Sequence, residues 1–209
     1  MVLYKTAFEY AENEYVVEKS RFIAHVMPVE SYEEAQAFVA KIKLEYKDAT
    51  HNVPVIVCGN KQEIKWASDD VEPQGTSGLP TLKMVSELGI TNVAIVVTRY
   101  FGGIKLGTGG LARAYTHAAK LAIEKAGVCF VEEGYISAFE LDYSYLSKLQ
   151  NLEKQGDFLI EEISYAEKIT VRIAMKKEVA DKVDKMLQDL TSGQLILDNI
   201  EKSLFRTKI

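Results

Sequence analysis

Side chains with chemical potential concentrate in three short segments of the chain. The first, residues 47–52, contains His51, and the second is an acidic loop, defined here as residues 68–80. The third is a glycine loop, defined here as residues 102–110, with the residues that flank it. These three segments are the candidates for a functional site.

The glycine loop holds five glycines in nine residues, follows an apolar strand and precedes a helix. Arg99, Lys105 and Arg113 flank it, and Thr108 is a candidate N-cap for the helix. Helix N-termini offer unpaired N–H groups and partial positive charge, and glycine lets a ligand come close. The pattern predicts a phosphate or carboxylate site. The alternative is that the glycines serve only packing and turns with positive φ.

Several known catalytic motifs are missing from the sequence. It contains neither the Walker A pattern nor Gly-x-Gly-x-x-Gly, which excludes a P-loop and disfavours a Rossmann dinucleotide site. Gly-x-Ser-x-Gly is also absent, and no base can be assigned to Thr76 or Ser77. No nucleophile constellation is therefore predicted.

The acidic loop carries Asp69, Asp70 and Glu72. Carboxylates at this spacing could hold Mg²⁺. The favoured alternative is a capped turn, in which the acids bond backbone N–H groups or pair with nearby Arg or Lys. Because the run offers few ligands, we predict no metal site and no cofactor.

His51 lies beside the start of a predicted strand, where it could act as a general base or an anion contact. The alternative is a structural histidine. The other histidines, His25 and His117, form no zinc cluster with it. Cys58 and Cys129 both follow apolar residues, which predicts buried free thiols.

The net charge is −5, divided as −3 in residues 1–133 and −2 in residues 134–209. Bulk electrostatic attraction to nucleic acid or an anionic membrane is therefore not expected, although a local basic patch remains open. No apolar signal core follows the N-terminus, and no stretch approaches the roughly 20 apolar residues of a membrane span. We expect a cytoplasmic protein without membrane contact.

Hydrophobic periodicity predicts an α+β fold. Ser31 is a candidate N-cap for the first helix, and a continuous apolar run predicts a central strand buried on both faces. In residues 1–133 we predict two strands within 16–29, joined by a turn at 19–21, and then a helix at 32–46. A hairpin formed by strands 53–58 and 63–67 follows. The last predicted elements are a helix at 82–88 that ends before Gly89, a strand at 93–97 and a helix from Leu111.

After Gly134 the pattern restarts as β-α-β-β-α-β, the signature of a ferredoxin-like sandwich. The predicted elements are a strand at 135–143, a helix at 145–152, strands at 158–165 and 168–175, a helix at 179–190, and a last strand within 195–205. We therefore predict two domains, residues 1–133 and 134–209.

Four segments carry a resemblance to a known family. They are Lys19-Ser20-Arg21-Phe22-Ile23-Ala24, Ala49-Thr50-His51-Asn52, Asp69-Asp70-x-Glu72-Pro73-x-Gly75-Thr76, and Val97-Thr98-Arg99-Tyr100-Phe101-Gly102-Gly103 with Lys105-Leu106-Gly107-x-Gly109-Gly110-Leu111. The chain resembles the YigZ/IMPACT family (UPF0029) in its bacterial two-domain form. It departs from the family loop at Val71, Gln74 and Ser77, where glycine, serine and alanine are usual. A β-branched Val71 would resist positive φ.

The resemblance implies an N-terminal domain similar to domain 2 of ribosomal protein S5 and to domain IV of elongation factor G. It implies a ferredoxin-like C-terminal domain similar to domain V of that factor. Eukaryotic relatives restrain a kinase that controls translation initiation by competing for its activator. Bacteria lack that kinase, so only a fold used around ribosomes and RNA, with a shared polar surface, carries over.

Three functions follow as hypotheses. The first is a translation-associated binding protein that contacts RNA, the ribosome or a ribosome-bound partner, as a monomer or small homo-oligomer. The second is an enzyme acting on a phosphorylated or carboxylated small molecule through the acidic and glycine loops, and the third is a protein–protein adaptor. The predicted binding residues are Lys19, Arg21, His51, Arg99, Tyr100, Gly102, Gly103, Lys105, Gly109, Gly110 and Arg113.

Overall fold

The structure is a computed structural model that describes residues 2–197 and 200–209. It divides into two compact units. The N-terminal unit is Tyr4–Phe130 with Thr207–Ile209, and the C-terminal unit is Val131–Arg206 with the first residues of the chain. The fold is α+β, as the hydrophobic pattern predicts.

The N-terminal unit is built on a five-stranded antiparallel sheet with strand order β2-β3-β6-β4-β5. The predicted hairpin is confirmed, because Val55 pairs with Ala67 and Cys58 with Ile64. The strands are β2 (Ala11–Val17), β3 (Ser20–Pro28), β4 (His51–Cys58), β5 (Ile64–Ala67) and β6 (Val93–Tyr100). An earlier strand, β1 (Val2–Ala7), was not predicted.

Helices cover both faces of this sheet. They are α1 (Tyr32–Glu45) on one face, and α2 (Gly78–Glu87) and α3 (Gly107–Ala126) on the other. Val93, Ile95 and Val97 of β6 pack in the core with α2 and α3, whereas Ala94 and Val96 pack in the core with α1. The predicted central strand is therefore buried on both faces.

The C-terminal unit has the predicted β-α-β-β-α-β element order. Its elements are β7 (Val128–Leu141), α4 (Tyr143–Glu153), β8 (Phe158–Tyr165), β9 (Ile169–Lys176), a 3₁₀ turn (Lys177–Val179), α5 (Ala180–Leu190) and β10 (Ile200–Lys208). The sheet order is β1-β7-β9-β8, and β10 also pairs with β7. Leu149, Phe158, Val183 and Leu187 belong to its core. Of the predicted last strand, positions 198–199 lie outside the described residues.

Two helix starts of the N-terminal unit differ from the sequence prediction. Helix α3 begins at Gly107 with Leu106 as its N-cap, so Thr108 lies inside the helix and the prediction that it caps the helix was wrong. Helix α2 begins at Gly78 rather than near Leu82. Gly107 has φ +69°, a conformation that favours glycine, whereas Gly109 and Gly110 lie within the helix despite their low helix propensity. Among the described residues, no helix is both long and apolar enough to cross a membrane.

Candidate functional site

The three polar segments meet at a cleft of about 420 Å³ in the N-terminal unit, called here the β4–β6 cleft. His51 enters it from β4, Glu72 from the acidic loop and Arg99 from β6, while Lys105 and Thr108 come from the glycine loop. Strands β4 and β6 are antiparallel neighbours in which His51 is opposite Arg99. Sheet pairing thus brings together segments that are distant in sequence.

A buried ion pair lies at this cleft. Nη1 of Arg99 lies 2.5 Å from Oε1 of Glu72, and the two side chains are 5% and 3% exposed. The Tyr115 hydroxyl donates to the same oxygen at 2.8 Å. Burial, together with the neighbouring Glu72 carboxylate, raises the pKa of Tyr115 far above its usual range. Each buried charge therefore has a partner, and Tyr115 remains a neutral donor.

Aromatic rings surround the Arg99 guanidinium. Its Cζ lies 5.4 Å from the Phe22 ring centroid and 5.3 Å from that of Phe101. Cations at such distances are attracted to the ring faces. Arg99 was predicted as a phosphate contact, but in this structure it is buried against Glu72 and does not face solvent.

His51 has a defined orientation. Its Nδ1 lies 2.7 Å from the backbone carbonyl oxygen of Asp70. Because a carbonyl oxygen can only accept, Nδ1 carries the proton. In the neutral ring Nε2 is then an unprotonated acceptor, 3.7 Å from Oε1 of Glu72. The neutral His51 ring would therefore place one acceptor nitrogen in the cleft.

Asp70 is engaged inside the fold. Its Oδ2 accepts a hydrogen bond from the backbone N–H of Asn52 at 2.7 Å, and its Oδ1 pairs with Lys43 Nζ at 2.6 Å. The Asn52 side chain in turn accepts a hydrogen bond from Thr98 at 2.7 Å. Asp70 thus fastens the acidic loop to the start of β4 and to α1.

Asp69 ties the acidic loop to the start of α2. Its Oδ1 accepts from the hydroxyl of Ser77 at 2.7 Å and from the N–H of Gly78 at 2.9 Å, and its Oδ2 accepts from the N–H of Gly75 at 2.7 Å. Burial alone would raise the pKa of Asp69, but these hydrogen bonds together outweigh burial and hold it below its usual value. Asp69 supplies the cap interaction that the N-cap residue Ser77 does not make.

The acidic loop therefore has the geometry of the capped turn that the sequence favoured over a metal site. Asp69 and Asp70 bond to internal groups, and Glu72 pairs with Arg99. In the ranges that the structure describes, no group of three or more His, Cys, Asp or Glu side chains is arranged to hold a metal ion.

The turn in the acidic loop adopts a left-handed backbone. Asp70 has φ +46° and Val71 has φ +70°. Position 71, where the resemblance implies glycine, thus has a left-handed backbone despite its β-branched residue. Val71 is 93% exposed, so its side chain gains no packing in return.

An exposed rim borders the cleft, and we call it the aromatic rim. It consists of Lys19, Arg21, Tyr100, Phe101 and Lys105. The Cζ of Arg21 lies 5.5 Å from the Tyr100 ring centroid, and Phe101 is 46% exposed. Arg21 also pairs with Glu14 at 2.8 Å, at the surface. The rim combines three exposed cations with the exposed ring of Phe101 and the partly exposed ring of Tyr100.

Gly102 positions this rim. A Cβ at Gly102 would overlap the backbone of Lys19 and Ser20, and its N–H donates to the Ser20 hydroxyl at 3.1 Å. A packing role thus accounts for this glycine. Gly103 has φ +88° with open space around it. These contacts hold the β2–β3 turn against the end of β6.

The remaining predicted residues do not all converge on the cleft. Gly109 and Gly110 lie in the first turns of α3, and Arg113 lies farther along the same helix. Arg113 lines a separate groove, whereas Lys105 borders both cavities. The single basic cluster expected from the sequence is thus divided between two surfaces.

Sequence reasoning did not single out Tyr115 as a site residue, and the structure places it among the buried apolar residues of α3. A usable signal was present, since a tyrosine on a core stripe needs a partner for its hydroxyl. Lys43 pairs with Asp70, 27 residues away in the sequence, and no comparable sequence feature marked it as a site residue.

Fold and site together define a class of two-unit α+β protein with a buried Arg–Glu pair beside a glycine-rich helix start. Residues 18–123 match the Impact N-terminal domain, and residues 139–194 match a domain of unknown function, DUF1949. IMPACT family member YvyE of Bacillus subtilis is 38% identical over 191 residues, covering 91% of this chain and 88% of YvyE. IMPACT family member YigZ of Escherichia coli is 32% identical over 189 residues, covering 89% and 92%.

The chain therefore belongs to the IMPACT family, as its motifs predict. Among solved structures, a crystal structure of a hypothetical protein is similar with TM-score 0.58 and 28% identity, covering 95% of both chains. This similarity supports the α+β fold across both units.

Proposed function

We propose that this protein is a translation-associated binding protein that contacts RNA, the ribosome or a ribosome-bound partner through the aromatic rim. Membership of the IMPACT family supports a role in translation, which the resemblance implies. The observation that carries the proposal is which side chains of the site bond internally and which are exposed. Asp69, Asp70 and Glu72 of the acidic loop bond internally, whereas the rim exposes the Phe101 ring and three cations.

The chemistry of the rim suits nucleic acid. Exposed aromatic rings such as Phe101 stack on unpaired bases, and each stacked base contributes about 1–3 kcal/mol. Lys19, Arg21 and Lys105 are exposed cations that can contact phosphates. The guanidinium of the buried Arg99 lies against the Phe101 ring and so contacts the rim from inside the protein.

One observation favours a second candidate function. With Nδ1 bonded to the Asp70 carbonyl oxygen, a neutral His51 ring would present Nε2 as an acceptor in a cleft that Lys105 also lines, which suits a general base beside an anionic substrate. This function is an enzyme acting on a phosphorylated or carboxylated small molecule. Its test is a turnover screen of phosphorylated metabolites with and without Mg²⁺. Saturable turnover that His51→Gln abolishes would support it, whereas equal rates in both proteins would exclude this role for His51.

We further propose the domain assignments that the resemblance implies: an S5 domain 2-like fold for residues 1–133 and a ferredoxin-like fold for residues 134–209. In the sheet, β7 pairs with both β10 and β9, and β9 pairs in turn with β8. This pairing supports the ferredoxin-like assignment. We also propose a cytoplasmic protein that works as a monomer or small homo-oligomer.

The primary test is sedimentation of a lysate through a sucrose gradient in low and in moderate salt. The rim variant is Lys19→Glu/Arg21→Glu, which leaves intact the buried Arg99 and also Lys105, a residue shared with the separate groove. Its matched control, Lys41→Glu/Lys61→Glu, makes the same charge change at exposed sites away from the rim.

We expect the wild type and the control to migrate with ribosomal particles in low salt, and to be released as salt rises. The folded rim variant should stay at the top of the gradient. Wild-type protein that stays at the top in both salts would overturn the proposal, as would equal migration of the rim variant.

A further inference from the structure

A second groove runs beside α3 in the N-terminal unit, and we call it the α3 groove. We propose that it is a docking site for an acidic, amphipathic segment of a partner protein. Its cavity measures about 930 Å³, and its principal lining residues are Tyr15, Met84, Ile104, Arg113, His117 and Lys120. This inference rests on the proposed binding function and names the class of protein partner.

The groove has the dimensions of a segment-binding site. Gly110, Ala114 and His117 lie at helical spacings of four and three, so they share one face of α3. From Gly110 to Lys120 the groove follows about 15 Å of helix. Gly110 has no side chain and is partly exposed, so a partner's backbone can approach α3 closely there. Such a length suits about five extended residues or about three turns of helix.

The apolar lining selects for apolar side chains. Val17 comes from β2 and Met84 from α2, while Ile104 and Leu106 precede α3. Ile104 is 39% exposed, so it is available for contact. Methionine and aliphatic side chains adapt to varied apolar partners, as in helix-binding grooves.

The charges in the groove favour a partner segment with acidic side chains. Lys105, Arg113 and Lys120 line it, against a single carboxylate, Glu18. Lys120 lies 3.9 Å from Glu124, whereas Lys105 and Arg113 have no ion pair within the described part of the chain. In a protein of net charge −5 this is a local reversal of sign. Complementary charge steers a partner toward such a surface.

The aromatic geometry favours a protein segment over RNA. Tyr15 is the tyrosine of this groove, and its ring packs edge-on against His117 with centroids 4.6 Å apart. It also lies against Phe22, at 6.5 Å. RNA recognition relies on exposed aromatic rings for base stacking, and the exposed Phe101 ring lies at the aromatic rim instead. Aliphatic walls with flanking cations match apolar residues flanked by Asp or Glu.

The test is selection of a phage-displayed library of random 12-residue peptides on the immobilised full-length protein. The groove variant is Ile104→Asp/Arg113→Glu, which alters no residue of the aromatic rim. The matched control is Leu44→Asp/Lys41→Glu on α1, where Leu44 is 74% exposed. Enriched peptides are then synthesised and titrated by fluorescence anisotropy, beside a 20-nucleotide uridine RNA.

We expect enriched peptides to carry at least two acidic and two large apolar residues. Their affinity should fall at least tenfold in the folded groove variant and remain unchanged in the control. Failure to enrich groove-dependent peptides would overturn the proposal. If the uridine RNA, and not the peptides, binds the wild type and loses affinity in the groove variant, the groove is a nucleic-acid surface and the proposal is overturned.

The two proposals fail separately. Gradient migration depends on the aromatic rim, and peptide binding depends on Ile104 and Arg113. Groove-dependent peptides with no ribosomal migration would retain the docking site and remove the translation role. Ribosomal migration without groove-dependent peptides would remove the docking site alone.

Discussion

Arg99 donates a hydrogen bond to the carboxylate of Glu72, and neither side chain is more than 5% exposed. This pair connects the end of β6 with the acidic loop. Removing one partner of a buried ion pair leaves an uncompensated charge, whereas replacing both with apolar residues is often neutral. The pair is therefore a structural contact on which the geometry of the cleft depends.

The first prediction concerns this pair. We expect Glu72→Ala to lower the free energy of unfolding by about 3–5 kcal/mol, because the Arg99 charge stays buried without its partner. The double variant Glu72→Leu/Arg99→Met should lose less than Glu72→Ala. The measurement is urea unfolding followed by fluorescence of Trp66, the single tryptophan, which lies in β5 of the N-terminal unit. Strictly additive losses in the double variant would contradict the coupling.

The second prediction concerns the strained turn. Val71→Gly should raise the free energy of unfolding by about 1 kcal/mol, because glycine adopts φ +70° without the steric cost of a β-branched residue. Val71→Ala is the matched control: it keeps a Cβ and removes only exposed atoms, so its gain should be smaller. Trp66 fluorescence in urea reports both values. Destabilisation by glycine would show that residue 71 does not need a left-handed backbone.

The third prediction compares two glycines of the same segment. Gly102→Ala should destabilise the N-terminal unit by about 1–3 kcal/mol, because its Cβ would overlap the Lys19–Ser20 backbone. Gly109→Ala should instead stabilise it by up to about 1 kcal/mol, because Gly109 lies within α3 and a Cβ there meets only the end of Arg113 at 3.6 Å. Thermal unfolding of the two variants is the measurement. Effects of equal sign would refute the close approach at Gly102.

The fourth prediction concerns acid pH. The folded pKa of Asp69 is lower than that of the unfolded chain, about 3.9. The unfolded state therefore binds more protons between the two values. The contribution of Asp69 is full above about pH 4 and is lost as the pH falls through the folded pKa.

Asp69→Asn should therefore reduce stability at pH 7 and flatten the dependence on pH below about 4, as urea unfolding across that range would show. Glu14→Gln is the control: the Arg21 hydrogen bond lowers the pKa of Glu14, but both groups are exposed, so its effect should be small. If the stability of Asp69→Asn falls as steeply with acid pH as that of the wild type, the assigned role of Asp69 is contradicted.

Local patterns predicted much of the fold. The apolar run in β6 indicated a strand buried on both faces, and the restart after Gly134 indicated the β-α-β-β-α-β order; both are observed. The start of α3 was misplaced because glycines at 107, 109 and 110 argue against a helix locally. Packing of the rest of the helix against the sheet outweighs that local preference.

The candidate site was only partly predictable. The sequence alone singled out His51, Glu72 and Arg99, since chemically capable residues in short motifs can be recognised without coordinates. It could not show that Arg99 is buried against Glu72, or that Arg113 faces a different groove from His51.

The sequence by itself pointed to the family through its motifs, and to the α+β class, the element order of the C-terminal unit and the three polar segments through local composition and periodicity. Tertiary structure alone decided which side chains become partners. Tyr115 and Glu72 are 43 residues apart, and Arg99 and His51 become neighbours only through antiparallel pairing of β4 with β6. The physical reason is that burial and charge pairing depend on distances in space, which chain-local patterns do not encode.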